Sequence, residues 1–247
     1  MKALVLAAGE GTRLRPHTSD RPKPMVEIAG EPAIAYALTW LRHHGIRDVA
    51  INLHHHVDVL RRYVGTGRRF GVQVTYSVEP ELLGTAGALR PLQRFFTGED
   101  SFVVLYGDVL TDLELRPVLA GHASSGADAT LVLTEVDDPT RAGIVAFDGA
   151  HWVTRLEEKP AANAVFSRWA NAGVYVCGPK VLEHVAPEGP QDFVRELFPA
   201  MLGAGCRLQA FPTEARVVDY GSPERLRLAV EAAEAGAFTF VDAGGMC

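Results

Sequence analysis

Short apolar runs alternate with amphipathic stretches through the first half of the chain. Ala3–Ala7, Asp48–Leu53, Val72–Ser77 and Phe102–Tyr106 are brief, apolar-rich runs and read as strands. Between them, Ala33–His43 sets Ala33, Ala37, Leu38 and Leu41 on one face at helical spacing. Val57–Val64, Ala86–Phe96 and Leu115–His122 also read as helices. Strands alternating with helices predict an α/β fold, with a Rossmann-like, mostly parallel sheet flanked by helices and right-handed crossovers. Phe102–Tyr106 is almost wholly apolar, as a strand covered on both faces would be. In such a sheet a ligand belongs beyond the carboxyl ends of the strands.

The second half is less regular and richer in strands. Ala129–Thr134, Ile144–Phe147, Trp152–Leu156 and Ala172–Cys177 read as strands, and Asp192–Leu202 and Pro223–Ala235 as helices. Asp148-Gly149 predicts a hairpin turn. No repeat, low-complexity segment or linker interrupts the chain, so one domain over 1–247 is expected, with a Gly- and Ala-rich tail at 236–247, poorly ordered over Phe238–Cys247.

Composition narrows the class. At 247 residues, 47% hydrophobic and 22% charged, the chain is an ordinary soluble protein able to bury a sizeable core. A net charge of −6 argues against a general nucleic-acid binder, though not against a local phosphate pocket. Cys177, Cys206 and Cys247 are few and far apart, which suits a reducing cytoplasm better than a disulfide framework. The apolar start Met1–Gly9 runs straight into Glu10 and Arg13, so a buried strand is expected rather than a signal peptide. No run approaches the ~20 apolar residues of a membrane helix.

Candidate chemistry begins after the first strand, at Ala8-Gly9-Glu10-Gly11-Thr12-Arg13-Leu14. Glycines there let backbone N–H groups approach a phosphate. Leu14 stands where a dinucleotide fingerprint needs its third glycine, and the Gly-Lys-Ser/Thr of a P-loop is missing. The run continues through Gly9-Glu10-Gly11-Thr12-Arg13-Leu14-Arg15-Pro16-His17-Thr18, then Arg21-Pro22-Lys23-Pro24-Met25, then Gly30-Glu31-Pro32. This resembles the sugar-1-phosphate nucleotidylyltransferases, also called nucleoside-diphosphate-sugar pyrophosphorylases. Their pattern Gly-x-Gly-Thr-Arg-Leu-x-Pro-x-Thr, then Pro-Lys-Pro and Gly-x-Pro, is matched without a gap, and the likeness continues at ordered landmarks to about Leu228. In feel the chain is nearest to the mannose- and heptose-1-phosphate guanylyltransferases.

The resemblance implies a GT-A-like nucleotidyltransferase fold with a strand-rich, sugar-binding lobe: a nucleotide-binding half over 1–125 and a sugar-phosphate half over 126–235. It implies Mg²⁺ as cofactor, an NTP and a sugar 1-phosphate as partners, and an NDP-sugar and pyrophosphate as products. Arg13 would stabilise leaving pyrophosphate and Lys23 would contact the α-phosphate. Gly-Asp after the strand Phe102–Tyr106 and the later Asp-x-Gly at Asp219-Tyr220-Gly221 give Asp108 and Asp219 as metal ligands. Backbone groups of Leu6, Ala8 and Gly9 would meet the base, with Gly11 and Thr12 completing the loop. Opposite them stands the turn that holds Glu79, Gly84 and Thr85. Gly107, Glu158 and Lys159 of Glu-Lys-Pro, and Asn171 of Asn-x-Gly, would line the sugar-phosphate site.

Individual residues carry simpler expectations too. Thr85 suits the N-cap of the helix after it, and Asp112 a cap at Leu115 or a place in solvent. Arg15 and Arg21 read as solvated charge or secondary phosphate contacts. His54-His55-His56 reads as a polar loop, because neighbouring side chains on extended backbone point apart. A carboxylate only accepts hydrogen bonds, so Glu79 favours guanine, whose pairing edge donates, and GTP is the favoured nucleotide. UTP or dTTP, CTP-dependent transfer to a non-sugar phosphate, and a non-catalytic nucleotide-sugar-binding regulator are the alternatives. With no hexapeptide repeat after the Asp219 motif, acetyltransfer is not expected. Oligomeric state stays open, a homodimer included.

Overall fold

A computed structural model of the chain describes residues 1–238. It divides into two compact units. The first comprises Met1–Leu82, Leu105–Leu113 and the chain from Arg216 to the last described residue, and the second comprises Leu83–Val104 and Glu114–Ala215. The Phe238–Cys247 tail expectation lies outside the described residues except for Phe238, which is buried. No helix among the described residues is long and apolar enough to cross a membrane.

In the first unit the strands Lys2–Leu6, Asp48–Leu53 and Gln73–Val78 lie side by side and parallel, with Leu6 opposite Asn52 and Asn52 opposite Ser77. Ala3, Leu4, Val5, Val49, Ala50 and Ile51 are fully buried, as expected of strands covered on both faces. Leu105 and Tyr106 finish the strand Phe102–Tyr106, and the Gly107 N–H donates to the carbonyl of Leu6 at 2.9 Å. The two strand ends therefore abut. The helix Ala33–His43 buries most of its circumference, and the Trp40 indole donates to the Leu113 carbonyl at 2.9 Å. The helix Pro223–Glu234 starts cleanly, with Ser222 as N-cap, Pro223 at its first position and Glu224 in its first turn. Its Leu226 and Ala229 join Leu14, Ile28, Tyr36, Leu110 and Tyr220 in one core cluster.

The second unit is the strand-rich one. Ala129–Glu135 lies between Trp169–Cys177, antiparallel, and Leu208–Pro212, parallel. Gly143–Phe147 pairs antiparallel with Val153–Glu158. Tyr175, Phe193 and Phe198 pack ring against ring, with centroids 4.9 to 5.2 Å apart.

The α/β class and the long strands match the sequence expectation, and several details are corrected. Ala86–Phe96 is not one helix. A single turn at Gly84–Gly87, a 3-10 turn at Arg90–Leu92 and a turn at Gln93–Phe96 replace it, because Pro91 has no N–H for a continuous ladder. Asp192–Leu202 is a π turn, Phe193–Leu197, leading into the α-helix Phe198–Gly203. Asp148-Gly149 is not a two-residue hairpin. Asp148 accepts from the N–H groups of Ala150 and Trp152, and His151 takes the left-handed backbone region, so a longer side-chain-stabilised loop turns the chain. Asp112 does not cap the helix at Leu115: its carboxylate accepts from Arg216 N–H at 2.7 Å, and its own N–H donates to the Arg216 carbonyl.

Candidate functional site

The first unit gathers the loop, the lysine and both acids. Gly9, Glu10, Thr12 and Arg13 are exposed beyond the carboxyl end of the first strand, while Leu14 anchors the loop in the core. Gly11 has φ +66°, and a side chain there would meet Lys23 Cβ and Thr18 Cγ2, each at 3.0 Å. Thr18 donates to the Gly11 carbonyl at 2.8 Å. Glycine thus lets the loop lie directly on Lys23. Lys23 starts a 3-10 turn braced by Pro22 and Pro24 and is only 8% exposed.

The ammonium of Lys23 donates to Asp108 Oδ2 and lies 3.9 Å from Asp219 Oδ1. Both acids reach it because a short antiparallel ladder joins Val109–Thr111 to Val217–Asp219, with Asp219 opposite Val109. Tyr220 closes the end of that ladder. Its N–H donates to the Asp108 carbonyl at 3.1 Å, and its buried hydroxyl donates to the Gly107 carbonyl at 2.7 Å. Burial first, then the charges of Asp108 and Asp219, push its phenol far above the ordinary value, so it stays neutral. Asp219 is held on two sides: Oδ1 accepts from Gly221 N–H at 2.6 Å and Oδ2 from Arg225 at 3.0 Å. A side chain at Gly221 would meet Asp219 Oδ1 at 2.7 Å, Lys23 Nζ at 3.0 Å and Arg13 Nη2 at 3.2 Å. Arg13, Lys23 and Asp219 therefore converge on one glycine. Two carboxylates about a single ammonium form a hard oxygen donor pair already arranged around a cation, which fits Mg²⁺ with phosphate oxygens and water completing its shell.

On the other side of the loop, Glu79 is 2% exposed. Its Oε1 accepts from Asn52 Nδ2 at 2.8 Å, and Asn52 Oδ1 accepts from Ala7 N–H at 2.7 Å. The carboxylate is thus linked to the Ala7 backbone through the Asn52 side chain. The histidine run has separate engagements: His54 Nδ1 contacts the Glu79 carbonyl at 2.8 Å and His55 Nε2 lies 2.9 Å from Glu10 Oε1. The bond from His55 holds the Glu10 carboxyl below its ordinary value. Arg21 pairs with Asp20 at the surface.

The remaining expected residues belong to the second unit. Thr85 is not an N-cap: it lies within the turn Gly84–Gly87, donates to Asp192 at 2.7 Å and accepts from Phe193 N–H at 3.0 Å. Gly84, at φ +77°, places its α-carbon against the Gln191 backbone, whose carbonyl accepts from Ala86 and Gly87. Glu158 ends the strand Val153–Glu158, and its Oε2 would lie 2.6 Å from a side chain at Gly143. Lys159 takes the left-handed region at φ 49°, with Nζ 3.5 Å from Glu158 Oε1. Asn171 Oδ1 accepts from Gly173 N–H at 2.9 Å, where the register of Trp169–Cys177 against Ala129–Glu135 shifts. Sequence reasoning did not single out Asn52, Tyr220, Gly221 or Arg225. Only Gly221 carried a signal, as the glycine of Asp-x-Gly.

A family model described as nucleotidyl transferase matches residues 2–235. The chain belongs to the nucleotidyl transferase family. It is 35% identical over 233 residues to the UTP–glucose-1-phosphate uridylyltransferase of a Synechocystis strain, covering 90% of this chain and 60% of that protein. It is likewise 35% identical over 228 residues to the mannose-1-phosphate guanyltransferase of Gibberella zeae, covering 91% and 62%. The chain thus spans about 60% of the length of the curated relatives it matches. Among solved structures, a Bacillus anthracis protein provisionally named a glucose-1-phosphate thymidylyltransferase superposes with a TM-score of 0.87 at 27% identity, over 100% of this chain and 98% of that one. Membership agrees with the resemblance seen in the loop and its downstream landmarks.

Proposed function

We propose that this nucleotidyl transferase joins a nucleoside monophosphate from an NTP, GTP favoured, to a sugar 1-phosphate, releasing pyrophosphate. The observation that carries the reading is the convergence of Arg13, Lys23, Asp108 and Asp219 beside an exposed glycine loop. The nucleophile is already an ionised phosphate, so the protein needs no general base and no covalent intermediate. Its task is to bring anions together and neutralise charge at the α-phosphorus and on the leaving pyrophosphate. The N–H groups of Gly9, Gly11 and Thr12 suit phosphate oxygens. Arg13 offers a planar fork at the exposed side, where pyrophosphate departs. Lys23 is a compact charge fixed by its surroundings, suited to the α-phosphate. Asp108 and Asp219 would hold Mg²⁺, which supplies Lewis-acid charge at the phosphate oxygens.

Leu6, Ala8 and Gly9, with Glu79, Gly84 and Thr85, are assigned to the nucleotide. Gly107, Glu158, Lys159 and Asn171 are assigned to the sugar phosphate, Glu158 accepting from sugar hydroxyls. The guanine preference rests on the acceptor-only Glu79 and agrees with the guanyltransferase relative. The uridylyltransferase relative supports UTP as the second reading. Free thiols at Cys177 and Cys206 suit a cytoplasmic setting. The test is pyrophosphate release with Mg²⁺, GTP, UTP, dTTP, CTP and ATP against mannose, glucose and heptose 1-phosphates. No release with any pair would overturn the reaction, and preference for UTP or dTTP would overturn the base.

A further inference from the structure

A carboxylate stands in the middle of the loop assigned to phosphates. Glu10 lies between Gly9 and Gly11, and its charge has the wrong sign for an anionic ligand. The structure gives this carboxylate a partner: His55 Nε2, shielded from water, lies 2.9 Å from Glu10 Oε1. The contact is bent away from the ideal hydrogen-bond line, so its pull is mainly electrostatic. The Glu10 carboxyl is held below its ordinary value chiefly by His55, with Arg15 and His54 adding weaker attraction, and is ionised at neutral pH. The histidine is itself fixed. Next to it, His54 Nδ1 meets the Glu79 carbonyl at 2.8 Å, and His56, at φ 48°, opens the helix Val57–Val64. The His54 ring packs edge to face on that of His55, with centroids 4.5 Å apart. Topology sets the direction of the pull. The strand Lys2–Leu6, which leads into the loop, has the strand that precedes Asp108 on one side and Asp48–Leu53, which precedes His55, on the other. His55 therefore draws Glu10 away from the side that holds Asp108.

We propose that His55 is a positioning residue for triphosphate binding: it holds the Glu10 carboxylate to the Asp48–Leu53 side of the loop, off the path of the phosphates. The proposal rests on the reading that Gly9, Gly11 and Thr12 receive the triphosphate. Removing the ring nitrogen frees a negative charge next to Gly9 and Gly11. The free carboxylate repels the ligand in proportion to the ligand's own charge, so the loss is greatest for a triphosphate and vanishes for a nucleoside. It falls on binding rather than on chemistry, because Asp108 and its partner Lys23 stand on the other side. Neutralising Glu10 removes the need for His55, so the effects of the two residues are coupled.

The test is the series wild type, H55F, E10Q and E10Q/H55F, with thermal melts to verify folding. Phenylalanine keeps a ring and loses the nitrogen. Equilibrium binding of GTP, GDP, GMP and guanosine is measured at low and moderate salt, together with kcat and KM for GTP. H55F is expected to weaken GTP binding about fivefold, GMP binding less and guanosine binding not at all, with the loss shrinking as salt rises. Its KM for GTP rises while kcat holds. In the E10Q background the same exchange changes GTP binding by less than about twofold. A merely structural His55 would weaken GTP and guanosine alike in either background, and that result overturns the proposal. So does an H55F protein that binds GTP like wild type, or a loss in H55F that E10Q does not remove. Should H55F fail to fold, H55A carries the same expectations. A wild type that binds GTP yet releases no pyrophosphate with any sugar phosphate would sink the proposed reaction, and the binding series would still decide the role of His55. No binding of any nucleoside triphosphate by wild type overturns both.

Discussion

The ammonium of Lys23 donates to the carboxylate of Asp108, and 85 residues of sequence separate the two. Nothing local brings them together. The lysine is fixed by its Pro-flanked turn beneath Gly11, and the acid by the strand end that abuts Leu6. With Asp219 3.9 Å from the same ammonium, the two acids share one cation. Removing it in K23M leaves Asp108 and Asp219 facing each other without that charge and takes a fixed cation from the phosphates. Turnover is expected to fall about 10²- to 10³-fold, on the scale of losing one preorganised electrostatic partner. K23R should recover little, because a planar fork does not replace a point charge in this space. D108A should abolish turnover with its fold intact. Pyrophosphate release and melting curves check all three, and near-wild-type activity in D108A would overturn the metal assignment.

Gly221 lies where Arg13, Lys23 and Asp219 meet. Its φ is not in the left-handed region, so alanine strains no backbone there. The added methyl would instead press on Asp219 Oδ1, Lys23 Nζ and Arg13 Nη2, which are ends of side chains and can move. G221A is therefore expected to melt within a few degrees of wild type and to lose at least tenfold in kcat, since misplacements of about 1 Å are costly in such sites. A fully active G221A would mean that these groups tolerate displacement, and the convergence would lose its catalytic significance.

Gly84 makes the opposite case. Alanine there would combine φ +77° with a methyl 2.4 Å from the Gln191 carbonyl oxygen, and backbone cannot swing aside. The expected cost is about 3 kcal/mol. In a chain of this size that lowers Tm by roughly 6–12 °C. A melt of G84A at the wild-type temperature would refute the packing argument.

These two glycines mark the boundary of what the sequence made legible. The long strands and the helix Ala33–His43 were readable because their periodicity is local, and Arg13, Lys23, Asp108 and Asp219 because they stand in a long family pattern. Gly84 makes room for the Gln191 backbone more than 100 residues away, a neighbour that no local pattern reveals. Thr85 was read as a cap, yet its partners are Asp192 and Phe193. The ladder Val109–Thr111 with Val217–Asp219 escaped notice because each strand is three residues long and gains its identity only from its partner. Asn52 was invisible for a similar reason: a single polar residue in an apolar strand has no meaning until Ala7 and Glu79 are beside it. Pro91, by contrast, is a local signal: it interrupts the apolar periodicity of Ala86–Phe96, and the chain breaks into short turns around it.

His122 is 7% exposed in the helix Leu115–Ser125, with Nδ1 3.0 Å from the Thr130 hydroxyl, which is itself fully buried. Burial holds the imidazole below its ordinary value near 6.5, against a smaller opposing pull from Asp128. In the unfolded chain the ring regains the ordinary value, so in the window just below 6.5 the unfolded state binds more protons than the folded one. Stability from this residue is then complete above about pH 6.5 and is lost as pH falls through the depressed folded value. One proton sets the steepest slope at about 1.4 kcal/mol per pH unit. H122Q removes the titration and retains an amide that can donate to Thr130. Urea unfolding at pH 5.5 and pH 7.5 should give wild-type protein a larger loss of stability between the two pH values than H122Q. An equal loss in both proteins would mean that His122 takes up its proton without unfolding, and that its burial does not govern the acid limb of the stability curve.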